Sequence, residues 1–364
     1  MFFVSYPLTF VFCPLSFNFM SKILIIRFSA LGDVAMTIPV IYSLAVAHPL
    51  LQITVLSTKW LQPLFEHLPE NVRFVGADLK GKHKGIKGLN VLFNELKIEK
   101  FDYVADFHSV LRTQYLNLRF MLGGAKTEKI DKGRAEKRNL TLKNEKQLVP
   151  LQSGFSRYHE VLRKLGFNFE LHFDSVFSNT KVDLKQKNDQ AALKADFKWI
   201  GIAPFAKHKG KIYPLELQEK VIAHFANDKR VKVFVFGGGE SENNVVNNWT
   251  ENFPSIVSMV GKLNMSQELL LMSQLDVMLS MDSANMHLAS LVGTKVISVW
   301  GATHPYASFM GWNQSTENAI QVDLACRPCS IYGNKPCYRG DYACLHQITP
   351  TTIIKRIEAL LFLI

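Results

Sequence analysis

The chain has 364 residues, of which 48% are hydrophobic and 20% are charged, with a net charge of +11. This balance describes a globular protein, and after residue 21 no apolar run is long enough to span a bilayer. About 340 residues beyond an atypical N-terminal segment are too many for one ordinary core and suit two α/β domains of ~150 residues each.

The first twenty residues do not resemble part of the fold. They contain no charged residue, which permits a membrane segment by length, but prolines and polar residues interrupt them. A signal peptide requires a basic residue before its apolar part, and this segment has none there. Because Met20 directly precedes a clean strand, we interpret residues 1–20 as a non-native or disordered extension from a start codon placed too far upstream. A membrane-touching tail is the alternative.

A strand, a turn of small residues and a helix open the first domain. Ile23 to Ile26 is apolar, SALGDV follows, and apolar residues at helical spacing begin at Met36. The turn has one glycine and lacks the GxGxxG pattern, which disfavours a dinucleotide. Asp33 would repel a pyrophosphate at that helix start and suits a base that faces a hydroxyl. A helix N-cap is the alternative role for Asp33.

The rest of the first half alternates strands and helices. Strands are predicted at Gln52 to Leu56, Val72 to Val75 and Tyr103 to Asp106, and a helix at Leu111 to Leu122. His108 follows the last strand at the sheet edge, and Arg112 and Arg119 lie two turns apart on one helix face. Lys80 to Gly88 is glycine-punctuated and basic, which predicts a mobile loop.

Positive charge is concentrated in this half. Lys80 to Lys146 contains 16 Lys and Arg against 8 Asp and Glu. Such a surface suits an anionic partner such as phosphorylated lipid, nucleic acid or acidic glycan. A solvated basic face is the ordinary alternative.

A polar, charge-rich stretch without a strand pattern, residues 181–198, is interpreted as the link between domains at 21–180 and 199–350. The second half restarts with a strand at Trp199 to Ala203. A helix at Leu215 to Ala226 and strands at Val231 to Phe236 and Ile256 to Val260 follow. Lys211, Glu240 and Asp282 thereby come to one edge of one sheet.

A compact βαβ unit lies between residues 275 and 305. Val277 to Met281 and Val296 to Trp300 are apolar and read as buried parallel strands, with a helix between them that Gly293 caps. Asp282 and Ser283 lie at the carboxyl end of the first strand, where the helix offers unpaired amides to a phosphate. The alternative is an ordinary helix cap at Asp282 or Ser283.

Four motifs stand in order along the chain: ILIIRFSALGDVAMTIP, KIYP, FGGGE and MDSANMHLASLVGTKVISVWGATHP. Together they resemble glycosyltransferase family 9, the ADP-heptose:lipopolysaccharide heptosyltransferase family. The resemblance implies an α/β protein of GT-B fold, with two Rossmann-like domains facing across a cleft. It implies an inverting transfer, without a catalytic metal, from an ADP-heptose-type nucleotide sugar to the lipopolysaccharide inner core on lipid A.

The same resemblance implies where the protein works. It would be cytoplasmic, in peripheral contact with the cytoplasmic face of the inner membrane, and would have no nucleic-acid partner. The N-terminal domain would bind the acceptor and the C-terminal domain the nucleotide sugar.

The resemblance also assigns site residues by position. Asp33 matches the catalytic carboxylate, Lys211 a phosphate-contacting lysine and Glu240 a contact to the donor's ribose or base. The donor-binding turn corresponds to Asp282, Ser283, Ala284 and His287. For the acceptor we expect His108, Arg112 and Arg119. The family commonly has Asp-Thr-Gly where this chain has Asp-Ser-Ala, so the identity of the transferred sugar stays open.

Four cysteines form a second cluster near the C-terminus: Cys326, Cys329, Cys337 and Cys344. Their thiolates could form a structural zinc site, although only the first pair has the spacing of a zinc knuckle. Ordinary buried or free thiols are the alternative, since disulfides are not expected in a reducing compartment. The last helix, predicted at Ile353 to Phe362 within residues 351–364, is expected to cross back and brace the first domain.

Other functions share parts of this pattern. A zinc-stabilised nucleic-acid binder would use the basic half and the cysteines but would leave Asp33, Glu240 and Asp282 without purpose. A non-catalytic nucleotide-sugar binder would not need Asp33. A different GT-B enzyme, such as a nucleotide-sugar epimerase, shares the architecture.

Overall fold

A computed structural model describes residues 20–178 and 197–362. Within these ranges the chain forms two parallel β-sheets with helices packed against them. The predicted extension, apart from Met20, and the predicted link up to residue 196 lie outside the described residues. No described helix combines the length and the apolar character that crossing a membrane requires.

In the described part of the first half, the sheet has five parallel strands in the order β3-β2-β1-β4-β5. The strands are β1 (Lys22–Ile26), β2 (Gln52–Thr58), β3 (Val72–Ala77), β4 (Tyr103–Asp106) and β5 (Lys126–Lys129). The central strand β1 is covered on both faces, and its last four side chains are fully buried. Parallel sheets require this cover, which explains why β1 is a continuous apolar run.

The second sheet has six parallel strands in its described part, ordered β11-β10-β9-β6-β7-β8. They are β6 (Lys198–Ala203), β7 (Val231–Val235), β8 (Val257–Ser258), β9 (Val277–Met281), β10 (Val296–Val299) and β11 (Ala319–Ile320). In both sheets the first strand in sequence is internal, so the chain winds outward in both directions. Ligands of such sheets bind beyond the carboxyl ends of the strands.

The helices connect these strands. In the first half they are α1 (Leu31–Ala35), α2 (Ile38–Ala47), α3 (Gly85–Leu96), α4 (Leu111–Leu122), α5 (Arg134–Leu140) and α6 (Gly154–Leu165). In the second they are α7 (Leu215–Ala226), α8 (Glu240–Asn252), α9 (Met265–Met272), α10 (Ala284–Leu291), α11 (Ala343–His346) and α12 (Pro350–Phe362).

Several sequence predictions are confirmed to the residue. Strands β4 and β9 and helices α4 and α7 have the predicted bounds. The glycine cap is also confirmed, because α10 ends just before Gly293, which has a φ of +79°. Only glycine adopts that conformation without steric cost, so the helix stops where the sequence requires it.

Two predictions are wrong. Lys80 to Gly88 is not a loop throughout, because α3 begins at Gly85 and buries Gly88 against the backbone of His83. The last helix does not brace the first domain. Its buried residues Ile353, Ile357 and Leu361 join a core formed by the second half, and α12 packs on α7, β9 and β10.

The halves touch at several places, and two of these seams are pairs of packed helices. At one, α1 packs on α10, and a Cβ on Gly32 would lie 2.8 Å from Cδ2 of His287. At the other, the 3-10 helix Lys59–Phe65 packs on α9, beside a hydrogen bond of 3.1 Å from the Ser266 hydroxyl to the Glu66 carboxylate. Glycine at position 32 is therefore what lets the two helices approach so closely.

We predict that Gly32→Ala lowers the free energy of unfolding by about 1–3 kcal/mol, because the added methyl group overlaps a buried imidazole. Thermal denaturation measures the change as a lower Tm. Gly238→Ala is the control, since a Cβ there meets no atom within 4 Å. In a double-mutant cycle, His287→Ala should remove most of the penalty of Gly32→Ala, and purely additive effects would contradict this packing.

Candidate active site

Two cavities open into the cleft between the halves and meet at Asp33. The smaller, of about 280 Å³, is lined mainly by the first half. The larger, of about 950 Å³, is lined mainly by the second half. Ala30, Asp33, Phe309 and Tyr332 line both. A group bound in one cavity would therefore face a group bound in the other across the Asp33 side chain.

Asp33 is held by one of its two carboxylate oxygens. Its Oδ2 lies 2.7 Å from Nη2 of Arg27 and accepts a hydrogen bond of 3.2 Å from the Ala30 amide. The N-cap residue of α1 is Ala30, so the N-cap role considered for Asp33 is wrong; Asp33 instead bonds the N-cap amide from the third helical position. Among the described residues Oδ1 has no hydrogen-bond partner. Oδ1 can therefore accept a proton while Oδ2 fixes the side chain.

Arg27 fixes this carboxylate in turn. Its side chain is buried, and its Nη1 donates a hydrogen bond of 2.7 Å to the Phe107 carbonyl. The guanidinium lies 6.0 Å from the ring centroid of Tyr158, whose hydroxyl donates 3.3 Å to the Asp33 carbonyl. A buried arginine with two anchors loses little further freedom when it orients a carboxylate.

The smaller cavity is cationic. Arg27, Lys132, Lys137 and Arg157 line it, and Asp33 is the acidic side chain among its described lining residues. Arg27 pairs with Asp33, and Arg157 pairs with Glu136 at 2.7 Å. Lys132 and Lys137 are left without a carboxylate partner in the described part of the chain. Two unpaired ammonium groups in one cavity favour an anionic ligand.

Both lysines are altered by this environment. Burial, followed by repulsion from Arg157, lowers the pKa of Lys137 to about 8. Burial also lowers the pKa of Lys132, whose ammonium donates 3.1 Å to the Ser109 carbonyl. A bound anion would stabilise the charged form of both lysines, so the cavity gains most from a ligand that carries negative charge.

His108 is the predicted acceptor residue that lines the smaller cavity. Burial, and then the nearby charges of Arg27 and Lys132, lower its pKa to about 3, so the imidazole is neutral. The Phe28 amide donates 3.4 Å to Nδ1, which places the ring proton on Nε2. His108 can therefore donate a hydrogen bond but does not add charge.

Arg112 and Arg119 line neither cavity. Arg112 is exposed on α4. Arg119 packs on the ring of Phe93, 4.3 Å from its centroid, and donates to Asn90 and, at 2.9 Å, to the Tyr115 hydroxyl. It joins α3 to α4. The two arginines share one helix face, as predicted, and the charge of Arg112 acts on His108 at the edge of the smaller cavity.

The larger cavity has a positive region formed by a side chain and a helix end. Nζ of Lys211 lies 2.8 Å from the buried carboxylate of Asp282, and both line the cavity. Ser283 precedes α10 with an extended backbone, and its hydroxyl does not cap the helix. Ser283, Ala284 and Asn285 line the cavity at this end. The unpaired amides and the helix dipole favour an anionic group there.

His287 lies one turn into α10, at the seam with Gly32. It is buried, and burial lowers its pKa to about 4. The charge of Asp282 acts in the opposite direction but is smaller. Its Nδ1 has no hydrogen-bond partner among the described residues. The neutral imidazole forms part of the wall of the larger cavity, while its Nδ1 is enclosed by the protein.

The glutamate of the glycine turn that lines the larger cavity is Glu242, whereas the sequence predicted Glu240. Glu240 is exposed and does not line the cavity, whereas Glu242 does. Oε2 of Glu242 accepts a hydrogen bond of 2.8 Å from the Gly238 amide, at the glycine turn after β7. The predicted glycine turn does border the cavity, but the helical phase of α8 directs Glu242 rather than Glu240 into it.

Further lining residues had no motif to identify them. Trp60 enters the larger cavity from the first half, and Phe205 and Met265 add apolar surface. Glu268 lines the same cavity, and burial raises its pKa to about 7. A carboxyl group with this pKa is partly protonated at neutral pH and can then donate a hydrogen bond to a ligand oxygen.

The four cysteines do come together, around a cavity of about 10 Å³. No group of three or more His, Cys, Asp or Glu among the described residues is arranged to hold a metal ion, so the zinc prediction has no support. The buried guanidinium of Arg327 lies among them and donates to the carbonyls of Gly301, Trp300 and Thr303. Burial raises the pKa of Cys344 to about 11, which keeps that thiol protonated.

Comparisons with known proteins agree with this geometry. The family model for glycosyltransferase family 9 (heptosyltransferase) matches residues 90–337. Lipooligosaccharide heptosyltransferase 2 of Campylobacter jejuni is 24% identical over 207 residues, 56% of this chain and 64% of the relative. The lipopolysaccharide core heptosyltransferase OpsX of Haemophilus influenzae is 25% identical over 308 residues, 80% of this chain and 82% of the relative.

A solved structure extends the likeness to the fold. The E. coli heptosyltransferase WaaC, determined with ADP, has a TM-score of 0.66 and 17% identity, covering 93% of this chain and 99% of that one. Two parallel α/β domains that face each other across a cleft are the GT-B fold, so the predicted fold class is confirmed. This chain covers 64% of the length of the C. jejuni relative, which is less than two thirds of that protein.

The two glutamates after the glycine turn provide a matched test. On the expectation that the larger cavity binds a nucleotide, Glu242→Gln should weaken the binding of ADP, used as a probe, by about tenfold or more, because it removes a carboxylate that lines the cavity and fixes the Gly238 amide. Glu240→Gln should leave the affinity unchanged. Isothermal titration calorimetry measures both. Equal losses, or a loss at Glu240 alone, would contradict the assignment.

Proposed function

The chain belongs to glycosyltransferase family 9, the heptosyltransferase family, and we propose that it transfers a heptose from an ADP-activated donor to the lipopolysaccharide inner core. The observation that carries the proposal is the position of Asp33, whose carboxylate lines both cavities of the cleft. Solved and curated relatives are named as heptosyltransferases, one of them bound to ADP.

The larger cavity is proposed to hold the nucleotide sugar. Lys211 and the first amides of α10 would bind the diphosphate, and Asp282 holds Lys211 in place through the 2.8 Å ion pair. Ser283, Ala284 and His287 would complete this end of the site. Glu242 would contact the ribose or base, in the role first assigned to Glu240. Glu268, with its raised pKa, would donate a hydrogen bond to an oxygen of the donor.

The smaller cavity is proposed to hold the acceptor sugar and an acidic group attached to it. Lys132 and Lys137 supply the unpaired positive charge, and His108 supplies a hydrogen-bond donor. This replaces Arg112 and Arg119 as the acceptor residues. An inner-core acceptor is a saccharide that carries phosphate or carboxylate groups, so its charge matches the cavity.

The reaction requires one proton transfer and one displacement. The acceptor hydroxyl would attack the anomeric carbon while Oδ1 of Asp33 takes its proton. The new C–O bond forms as the bond between the anomeric carbon and the diphosphate oxygen breaks, and that electron pair leaves on ADP. Lys211 and the α10 amides would stabilise the departing charge. A single displacement from the opposite face inverts the anomeric configuration.

The proposal includes a location. The acceptor is linked to lipid A, so the protein would work at the cytoplasmic face of the inner membrane and contact it peripherally. No nucleic-acid partner is proposed, because the unpaired cations of the cleft surround a cavity of about 280 Å³ and do not form a continuous groove.

We predict that Asp33→Asn lowers turnover by about two to four orders of magnitude, the usual contribution of a positioned general base. The amide keeps the size of the side chain but cannot take the proton. ADP affinity should stay near wild type. Asp131→Asn is the control, since that carboxylate lines neither cavity. More than about a tenth of the wild-type rate at saturating substrates would show that Asp33 only bonds the N-cap amide.

A second prediction concerns pH. Lys137, with a pKa of about 8, is charged below that pH and loses its charge above it. The KM for a deacylated acceptor that keeps its acidic groups should therefore rise as the pH increases through about 8, while kcat changes less. In Lys137→Met the KM should be high at every pH and lack this rise. The same pH profile in the variant and the wild type would assign the titration to another group.

A further inference from the structure

Helix α4 carries a stripe of apolar side chains on its solvent-exposed face. Leu111, Leu118 and Leu122 are 86%, 49% and 75% exposed. Their spacing of seven and four residues places them on one line along the helix. The helix buries its opposite face through Leu116 and Phe120. The three leucines therefore add nothing to the core of the described structure and leave a continuous apolar line in contact with solvent.

The surface around the stripe is basic and includes further exposed apolar residues. Between residues 80 and 126 the chain has nine Lys and Arg against four Asp and Glu. Lys84 and Lys87 lie at the start of α3, which packs beside α4, and are exposed. Ile86 and Ile98 are 68% and 75% exposed on the same connection. Surfaces that enter the interfacial region of an anionic bilayer typically combine leucine and isoleucine with lysine.

The stripe starts close in the chain to a residue of the smaller cavity. His108 lines the smaller cavity, and α4 begins three residues later at Leu111. A surface that held a membrane at this helix would bring lipid-linked saccharides to the entrance of that cavity.

We propose that the outer face of α4, with the lysines of α3, docks on an anionic lipid bilayer. The proposal rests on the proposed function only in supposing that the acceptor is lipid-linked. The charge excess favours a bilayer over a protein partner. A protein interface with an apolar centre of this kind is ordinarily depleted in lysine, whereas anionic lipid attracts it.

The test is sedimentation with vesicles of phosphatidylcholine alone and of phosphatidylcholine with phosphatidylglycerol. Wild type should bind the anionic vesicles and bind them less tightly as salt rises to 0.15 M, where the Debye length is about 8 Å. Combined Leu111→Ser, Leu118→Ser and Leu122→Ser should weaken binding by about tenfold or more. Val46→Ser with Leu50→Ser is the control, since these side chains are 55% and 64% exposed elsewhere on the domain.

Two outcomes overturn the proposal. One is a serine variant that binds anionic vesicles as wild type does. The other is a wild type that ignores vesicles but self-associates in sedimentation velocity through the stripe, which would make the face a protein interface. An unchanged Tm checks that the serine variant is folded. Its turnover of a deacylated acceptor in solution should equal wild type. If neither protein turns over any acceptor while the vesicle results hold, the proposed function fails and the docking surface stands.

Discussion

The cleft depends on the contact between Gly32 and His287. Helix α1 reaches α10 of the other domain only because position 32 has no side chain, and a Cβ there would lie 2.8 Å from the imidazole. One residue later Asp33 faces both cavities, and one turn earlier on α10 the unpaired amides begin. The same contact therefore fixes the distance between the proposed base and the proposed phosphate site. A bulkier residue at position 32 would separate two groups that must act in one displacement.

Three cations of the cleft are paired with carboxylates, whereas within the described chain the two lysines of the smaller cavity are not. Arg27 is paired with Asp33, Arg157 with Glu136 and Lys211 with Asp282, each within 2.8 Å. Lys132 and Lys137 line the acceptor cavity without such a partner among the described residues. Paired cations hold carboxylates in a fixed geometry, whereas unpaired and partly buried ones raise the affinity for an anion. Lys211 would do both, since Asp282 holds it in place while its ammonium group binds the proposed diphosphate.

The sequence predicted the elements whose signals are local. A run of apolar residues gave β1, and periodicity gave α4 and α7. Helix α6 has comparable signals, an N-cap at Ser153 and a C-cap glycine at Gly166, but no helix was predicted there. The motifs located Asp33, Lys211 and the α10 turn in the cleft. Whether Glu242 or Glu240 lines the larger cavity depends on the helical phase of α8. The position of Lys137 in the smaller cavity depends on how α5 packs. Neither position follows from a motif, because tertiary packing decides both.

The most direct test of this account is the anomeric configuration of the product. A single displacement assisted by one carboxylate inverts the anomeric carbon, whereas a covalent intermediate followed by a second displacement retains it. The measurement is proton NMR of the glycoside formed from ADP-heptose and a deacylated inner-core acceptor. We expect one new linkage with the configuration opposite to that of the donor. A retained configuration, or hydrolysis of the donor without transfer, would contradict the account.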